Sequence, residues 1–393
     1  MRVAIIGNMN NNANNLIRYL VDQGLDCTIL FYANEAEHFV PDADNIDRID
    51  YPHQTLSWGS YAGLFTTPAS QITQDLAPFD FLIGSRLAPA YARKAGRSLD
   101  IFMPTGGDLH MLPMFSGFAP KDFFKFLVFS RIQRRGIQQC KTVFWDATNV
   151  ELEQKIWPVI QGMDRISHAI PAIYYPDYEN EALQRRLEAS EWIDRFTAAR
   201  ADCDFLFLHH VKHVWLPKTV RYYGEFHDKG NDQIVYGLAQ YYANSPRKRI
   251  KIAMVRYGRD YDETKALAEK LGVAQHIVWF PQLPRKELMM AISVVDAVIG
   301  EVTRSWFSYG TIMEAMVMSK TVIHNRDDAL YPDKRLYPML RIFDGPSVAK
   351  AFQQVADGEV DLVQMGIDAR RWLVEYGMGE PIREIVKRVK SKS

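Results

Sequence analysis

The sequence predicts an α/β protein built from two Rossmann-like domains facing each other across a cleft. Three observations lead there. The chain has 393 residues, more than one hydrophobic core usually serves. Its first third alternates short apolar runs with amphipathic segments, and a second series of the same kind starts at Cys203. That alternation is the signature of βαβ units in a parallel sheet with right-handed crossovers. The pattern divides the chain at 1–170, 171–372 and 373–393, with the prolines of "AIPAIYYPDY" at the crossing.

The elements follow in order. "VAIIG" is the first strand, and a helix through "NNLIRYLVDQG" should place Leu16, Leu20 and Val21 on one face and stop at Gly24. "CTILFYA", "FDFLIGS", "LDIFMPTGG" and "TVFWDAT" continue the sheet, the second and third ending in small residues where a βα loop belongs. The second series has strands at "CDFLFLHH", "RIKIAMVRYG", "HIVWFPQL", "DAVIGEV" and "TVIHNRD", with helices between them. The last stretch reads as a helix interrupted near Gly377 to Pro381. Open parallel sheets bind ligands beyond the carboxyl ends of their strands. Gly7 to Asn15, Gly84 to Arg86 and Thr105 to His110 should therefore border one crevice.

Composition narrows the classes. With 47% apolar residues, disorder is not the theme, and 47 basic against 47 acidic residues leave no global field for nucleic acid. Cys27, Cys140 and Cys203 are scattered without metal-like pairing and read as reduced thiols. Only four residues separate Arg2 from Gly7, too few for a signal-peptide core, and no apolar run nears the roughly 20 residues that span a bilayer. The expectation is a cytoplasmic protein, with attachment to a membrane surface left open.

Several stretches carry candidate chemistry. "EFHDKGND" sets Lys229 and Gly230 before a helix, where an ammonium and a backbone amide suit a diphosphate; an ordinary Lys-Gly turn is the alternative. In "WFSYGTIMEAMV", Tyr309 and Gly310 open a helix in which Glu314 can accept the hydroxyls of a ribose or simply complement the helix dipole. "HHVKHVW" offers Lys212 or His213 as a second cation. Its histidines also suit zinc, but no Cys or carboxylate pattern accompanies them and no metal is expected. "PTGGDLHMLP" brings Asp108 and His110 within two residues of each other, as acid-base chemistry requires, unless Asp108 only caps a helix. Residues 115–135 interleave Phe115, Phe118, Phe123, Phe124, Phe126 and Phe129 with Lys and Arg, fitting either an anionic membrane surface or a core stripe with a solvated edge.

Together, "KGND", the stretch "VRYGRDYDETKALAEKLG" to "DAVIG" and "SYGTIMEAMVMSKTVI" resemble the donor-binding half of family 4 glycosyltransferases of the GT-B fold. The resemblance implies a retaining enzyme that moves a sugar from a nucleotide-sugar to a glycan or lipid-linked acceptor, with no metal or other cofactor. It implies that Lys229 and Lys212 stabilise the leaving diphosphate, that Glu314 holds the ribose, and that Asp108 and His110 line the acceptor side. It also implies that the last helix packs back on the first domain. Glu314 matches the second of that family's paired glutamates, whereas Trp306 stands at the first. Glu301 is either a substitute for it or a loop acid without a role. Work on envelope glycans from the inner face of the cytoplasmic membrane fits the same resemblance. The unusual "GNMNNNANNL" then has two readings. Its asparagines serve left-handed backbone and helix caps, or Gly7, Asn8, Asn10, Asn11 and Asn12 form a loop facing sugar hydroxyls, which neutral amides suit better than they suit phosphate.

Overall fold

The computed structural model describes residues 1–33, 35, 40–45, 51–114, 123–146, 149–244 and 246–392. It divides into two compact units, Met1–Tyr174 with Glu375–Ser393 and Tyr175–Val374.

In the first unit the described strands are β1 (Arg2–Ile6), β2 (Asp26–Tyr32), β3 (His53–Leu56), β4 (Phe81–Gly84), β5 (Ile101–Phe102), β6 (Thr142–Phe144) and β7 (Asp164–Ile166). They form one parallel sheet in the order β3-β2-β1-β4-β5-β6-β7. Val3 to Ile6 of β1 are buried on both faces, which is why the central strands read as unbroken apolar runs. The edge strand β3, "HQTL", is mostly exposed and lacks any apolar alternation to announce it. In the helix Asn12–Asp22, Leu16, Ile17 and Leu20 are buried but Val21 is 42% exposed. One residue turns a helix by about 100°, so Val21 cannot share the face of Leu20.

The expected break near Gly377 is instead a π-helical stretch, Leu373–Gly379, that leads into the helix Glu380–Lys392. Pro381 follows closely on the π-helical stretch, where the regular i→i−4 ladder is already interrupted. The helix buries Ile385 and Val389 in the first unit, pairs Arg388 with Asp164, and sets Lys392 Nζ 2.7 Å from Asp100.

The second unit holds β8 (Phe205–His209), β9 (Ile250–Val255), β10 (Ile277–Phe280), β11 (Ala297–Ile299), β12 (Thr321–His324) and β13 (Leu340–Arg341), parallel, in the order β10-β9-β8-β11-β12-β13. Phe207, Ile252, Met254, Ile299 and Ile323 fill its core with the flanking helices. In both sheets the order reverses beside the first strand of the series, and that reversal opens the crevice in which doubly wound folds bind ligands.

Cys27 and Cys140 are buried free thiols, and burial pushes both up to about 12, out of the reactive range. Among the described residues no helix is long and apolar enough to cross a membrane. Of the aromatic stretch 115–135, residues 115–122 lie outside the described residues. In the helix Phe123–Ile137, Phe129 is buried against Tyr61 and Phe65, while Arg131 and Arg135 are exposed.

Candidate active site

Each unit carries its candidate residues at the carboxyl edge of its sheet. In the second unit Lys229 is fixed by its backbone: its amide donates to Val214 O at 2.8 Å and its carbonyl accepts from Val302 N at 3.1 Å. Its ammonium lies 2.7 Å from Glu301 Oε1, with the two side chains only 16% and 8% exposed. The Trp306 ring centre is 5.8 Å from the same ammonium. Glu301 Oε2 is buried and, among the described residues, has no hydrogen-bond partner. Glu301 is thus the counter-ion of Lys229, a pairing of residues far apart in the chain.

Gly230 does not offer the open amide expected of it. Its N–H donates to Asp228 Oδ1 at 3.1 Å, and its part is conformational: φ is +65°, and a Cβ would come within 2.6 Å of Thr303 Oγ1. Gly310, by contrast, begins the helix Gly310–Val317 with open space around its Cα. Tyr309, just before it, turns its hydroxyl inward to accept from Glu301 N at 2.7 Å, and so positions Glu301. Burial pushes that phenol well above its ordinary value.

Glu314 sits in the second turn of the same helix, with Oε2 2.8 Å from His210 Nε2 and Oε1 2.9 Å from Arg285 Nε. Burial opposes its ionisation, but Arg285 and His210 outweigh burial and hold the carboxyl below the usual glutamate range. Arg285, the first residue of a helix, had no motif to mark it.

His213 is corrected as a candidate cation. It is fully buried, with Nδ1 3.0 Å from Thr264 Oγ1, and burial drives its pKa down to about 4, leaving the ring neutral. Lys212 remains, with Nζ 4.1 Å over the Tyr223 ring. His209 bonds Ile299 O and Asn231, and among the described residues no three potential ligands gather to hold a metal.

In the first unit a pocket of about 420 Å³ is lined by Tyr32, Trp58, Tyr61, Arg86, Thr105 and Asp108, among others. Asp108 ties two strand ends together, accepting from Arg86 N at 2.8 Å and Thr105 N at 2.9 Å. Burial raises its carboxyl to about 6, against these hydrogen bonds. Arg86 adopts left-handed backbone, φ +56°, and reaches Glu35 at 2.8 Å. His110 is not part of the lining; it packs edge-on to Trp145, ring centres 5.4 Å apart.

The asparagine loop is largely turned inward, which corrects the sugar-facing reading for Asn8 and Asn11. Asn8 Nδ2 donates to Asn11 Oδ1 at 2.8 Å, Asn8 Oδ1 accepts from Asn14 N at 2.9 Å, and Asn11 Nδ2 donates to Val40 O at 3.1 Å. Asn15 bonds Asp44 and Ala172 O, and Asn14 accepts from the Tyr51 hydroxyl. Asn10 and Asn11 are both left-handed, at φ +52° and +59°, a backbone that Asn tolerates better than most residues. Gly7, at φ +81°, is buried before them; Asn10 is exposed and Asn12 half-buried. Asn8→Ala and Asn11→Ala should each cost about 1–3 kcal/mol by stranding buried partners. Denaturant melts should show the loss.

No family model and no curated protein matches the chain. Solved structures do resemble it over their whole length. HepE of Anabaena in complex with UDP-glucose superposes with a TM-score of 0.64 at 14% identity, covering 100% of each chain. The UDP-forming α,α-trehalose-phosphate synthase of Burkholderia vietnamiensis gives 0.63 at 11%, and the UDP-GlcNAc 2-epimerase of Neisseria meningitidis bound to UDP-GlcNAc gives 0.56 at 12%, again over 100% of each chain. With two parallel sheets of the orders given above, these likenesses show that the chain has the GT-B fold.

Proposed function

We propose that this protein is a metal-independent glycosyltransferase, moving a sugar from a nucleotide-sugar to an acceptor hydroxyl with retention of configuration. The observation that carries the reading is Lys229, clamped by its backbone at the carboxyl edge of the sheet and held by an acid that a diphosphate can replace. As the bond from the anomeric carbon to the diphosphate oxygen breaks, the leaving group takes the electron pair. Lys229, Lys212 and the helix start at Gly310 offset its charge. The lone pairs that Glu314 does not spend on Arg285 and His210 accept hydrogen bonds from the ribose hydroxyls, and Glu301 Oε2, which has no partner among the described residues, accepts one from the sugar. The acceptor hydroxyl bonds the anomeric carbon and gives up its proton, with Asp108 as its receiver in the first unit. Exposed Arg131 and Arg135 support an acceptor met at an anionic membrane surface, in envelope glycan or glycolipid synthesis.

A panel of UDP-, GDP- and ADP-sugars tests this, with thermal shift for binding and product analysis for chemistry. Transfer or slow hydrolysis supports the reading; an isomerised donor indicates an epimerase, and binding without turnover a non-catalytic protein. The Asp108 role has its own signature. A base must be ionised, so turnover should rise with pH through about 6 and level off above it. Asp108→Asn should flatten that limb and lower turnover by about 10²-fold or more.

A further inference from the structure

We infer that Arg86 and Glu35 make the pocket of the first unit selective for an uncharged, hydroxyl-rich ring such as a pyranose, against acceptors that carry a carboxylate or phosphate; this rests on the glycosyl-transfer reading above. Three side chains fix Arg86 from three directions. Asp108 accepts from its N–H at 2.8 Å, Gln133 Nε2 donates to its carbonyl at 2.7 Å, and Glu35 Oε2 accepts from its Nη1 at 2.8 Å. The residue is thereby held in left-handed backbone, φ +56°, which an arginine seldom adopts unless its surroundings impose it. Glu35 is as firmly placed. Its side chain is only 5% exposed, and its Oε1 accepts from Asn8 N at 3.3 Å and Tyr32 N at 3.4 Å, so one carboxylate joins the chain at the ends of β1, β2 and β4.

The rest of the guanidinium is left for a ligand. Nη1 is its one nitrogen with a hydrogen-bond partner among the described residues, and the side chain stays 31% exposed at the pocket wall. Its planar fork suits a carboxylate or a pair of hydroxyls, and charge decides between them. Among the described lining residues Arg86 is the sole cation and Asp108 the sole acid. Glu35 already balances Arg86, so an anionic group brought into the pocket meets the Asp108 carboxylate with no free cation to offset it. Tyr61 supplies the apolar side. Phe129 lies 5.0 Å from its ring centre and Phe126 5.7 Å away edge-on, yet Tyr61 is 39% exposed, leaving a face for the C–H side of a sugar. Burial pushes its phenol up most, Asp108 pushes it further and Arg86 draws it back, so the hydroxyl stands within reach of both charges. At about 420 Å³ the pocket has the size of a small-molecule site.

Saturation-transfer NMR on the full chain tests this, with methyl glucoside, mannoside and galactoside as probes beside the matching methyl uronates. At pH 8 wild type should bind at least one glycoside about tenfold or more tightly than its uronate. Tyr61→Ser should weaken that glycoside about tenfold, which assigns the sugar to this pocket rather than to the second unit. Glu35→Gln removes the balancing charge and should reverse the order, the uronate gaining about tenfold or more on its glycoside. A pH series on wild type reads the same selectivity without a substitution. The charged and titratable groups around Asp108 are Arg86, Glu35, Tyr32 and Tyr61 from neighbouring elements and His110 on its own helix. Asp108 gains its proton below about 6, so the uronate should gain on the glycoside between pH 8 and pH 5. A wild type that prefers the uronate, an order that neither pH nor Glu35→Gln moves, glycoside binding indifferent to Tyr61→Ser, or binding of neither class overturns the selectivity. The donor panel answers separately. Turnover of a nucleotide-sugar without this preference sinks the pocket's selectivity alone, whereas selective sugar binding with no donor bound sinks the transfer reading.

Discussion

Lys229→Ala is expected to lower turnover by about two to three orders of magnitude, the cost of removing one preorganised group that stabilises developing charge. The same substitution should also destabilise the second unit, for a separate reason. Glu301 is 8% exposed and sits 2.7 Å from Lys229, so losing the lysine strands a buried carboxylate. Breaking a buried pair from one side costs about 3–5 kcal/mol. Lys229→Ala with Glu301→Ala should regain much of that stability but none of the turnover, and this separates catalysis from folding. Steady-state kinetics and denaturant melts on the two variants give the answer. Near-wild-type turnover of Lys229→Ala on its best donor would remove the lysine from the reaction.

Glu314→Ala is expected to be the most destabilising single change at the site, by about 3–5 kcal/mol, because it strands both Arg285 and His210. The melting transition of the second unit should fall by roughly 10 °C. The pH dependence identifies the cause. The Glu314 carboxyl lies below its ordinary 4.5, so its stabilisation is fully present above 4.5 and is lost as pH falls through the lower folded value. The gap between wild type and variant should therefore narrow in acid. A gap that stays constant down to pH 3 would assign the loss to packing rather than charge.

The strands and helices of the second series were legible because each buried face repeats at the right period. "TIMEAMVMSK" is a helix and "DAVIGEV" a strand in the structure as in the sequence. The candidate site was legible less evenly. Lys229, Glu301 and Asp108 could be picked out by type and position, but their partners could not. Glu301 meets Lys229 across 72 residues, and Arg285 meets Glu314 because two helices converge. Asn8 and Asn11 were ambiguous for the same reason: Asn11 finds Val40 and Asn15 finds Ala172, and no local signal tells an amide spent on such partners from one left facing solvent. His213 needed burial to become neutral, and burial is set by Thr264 and Trp279, which the loop sequence does not mention. Strand β3 was missed because an exposed edge strand carries no apolar pattern.

The first unit is made from two separated pieces of chain, and that has a consequence for synthesis. Residues 375–392 supply a helix whose Ile385 and Val389 are buried there and whose Arg388 and Lys392 pair with Asp164 and Asp100. On the ribosome, residues 175–374 are made before that helix exists. The second unit can close as soon as its own sequence has emerged, whereas the first, though begun earlier, waits for its closing helix with that apolar strip uncovered. The order of completion is thus the reverse of the order of translation, and the waiting N-terminal unit is the one exposed to chaperones and to aggregation.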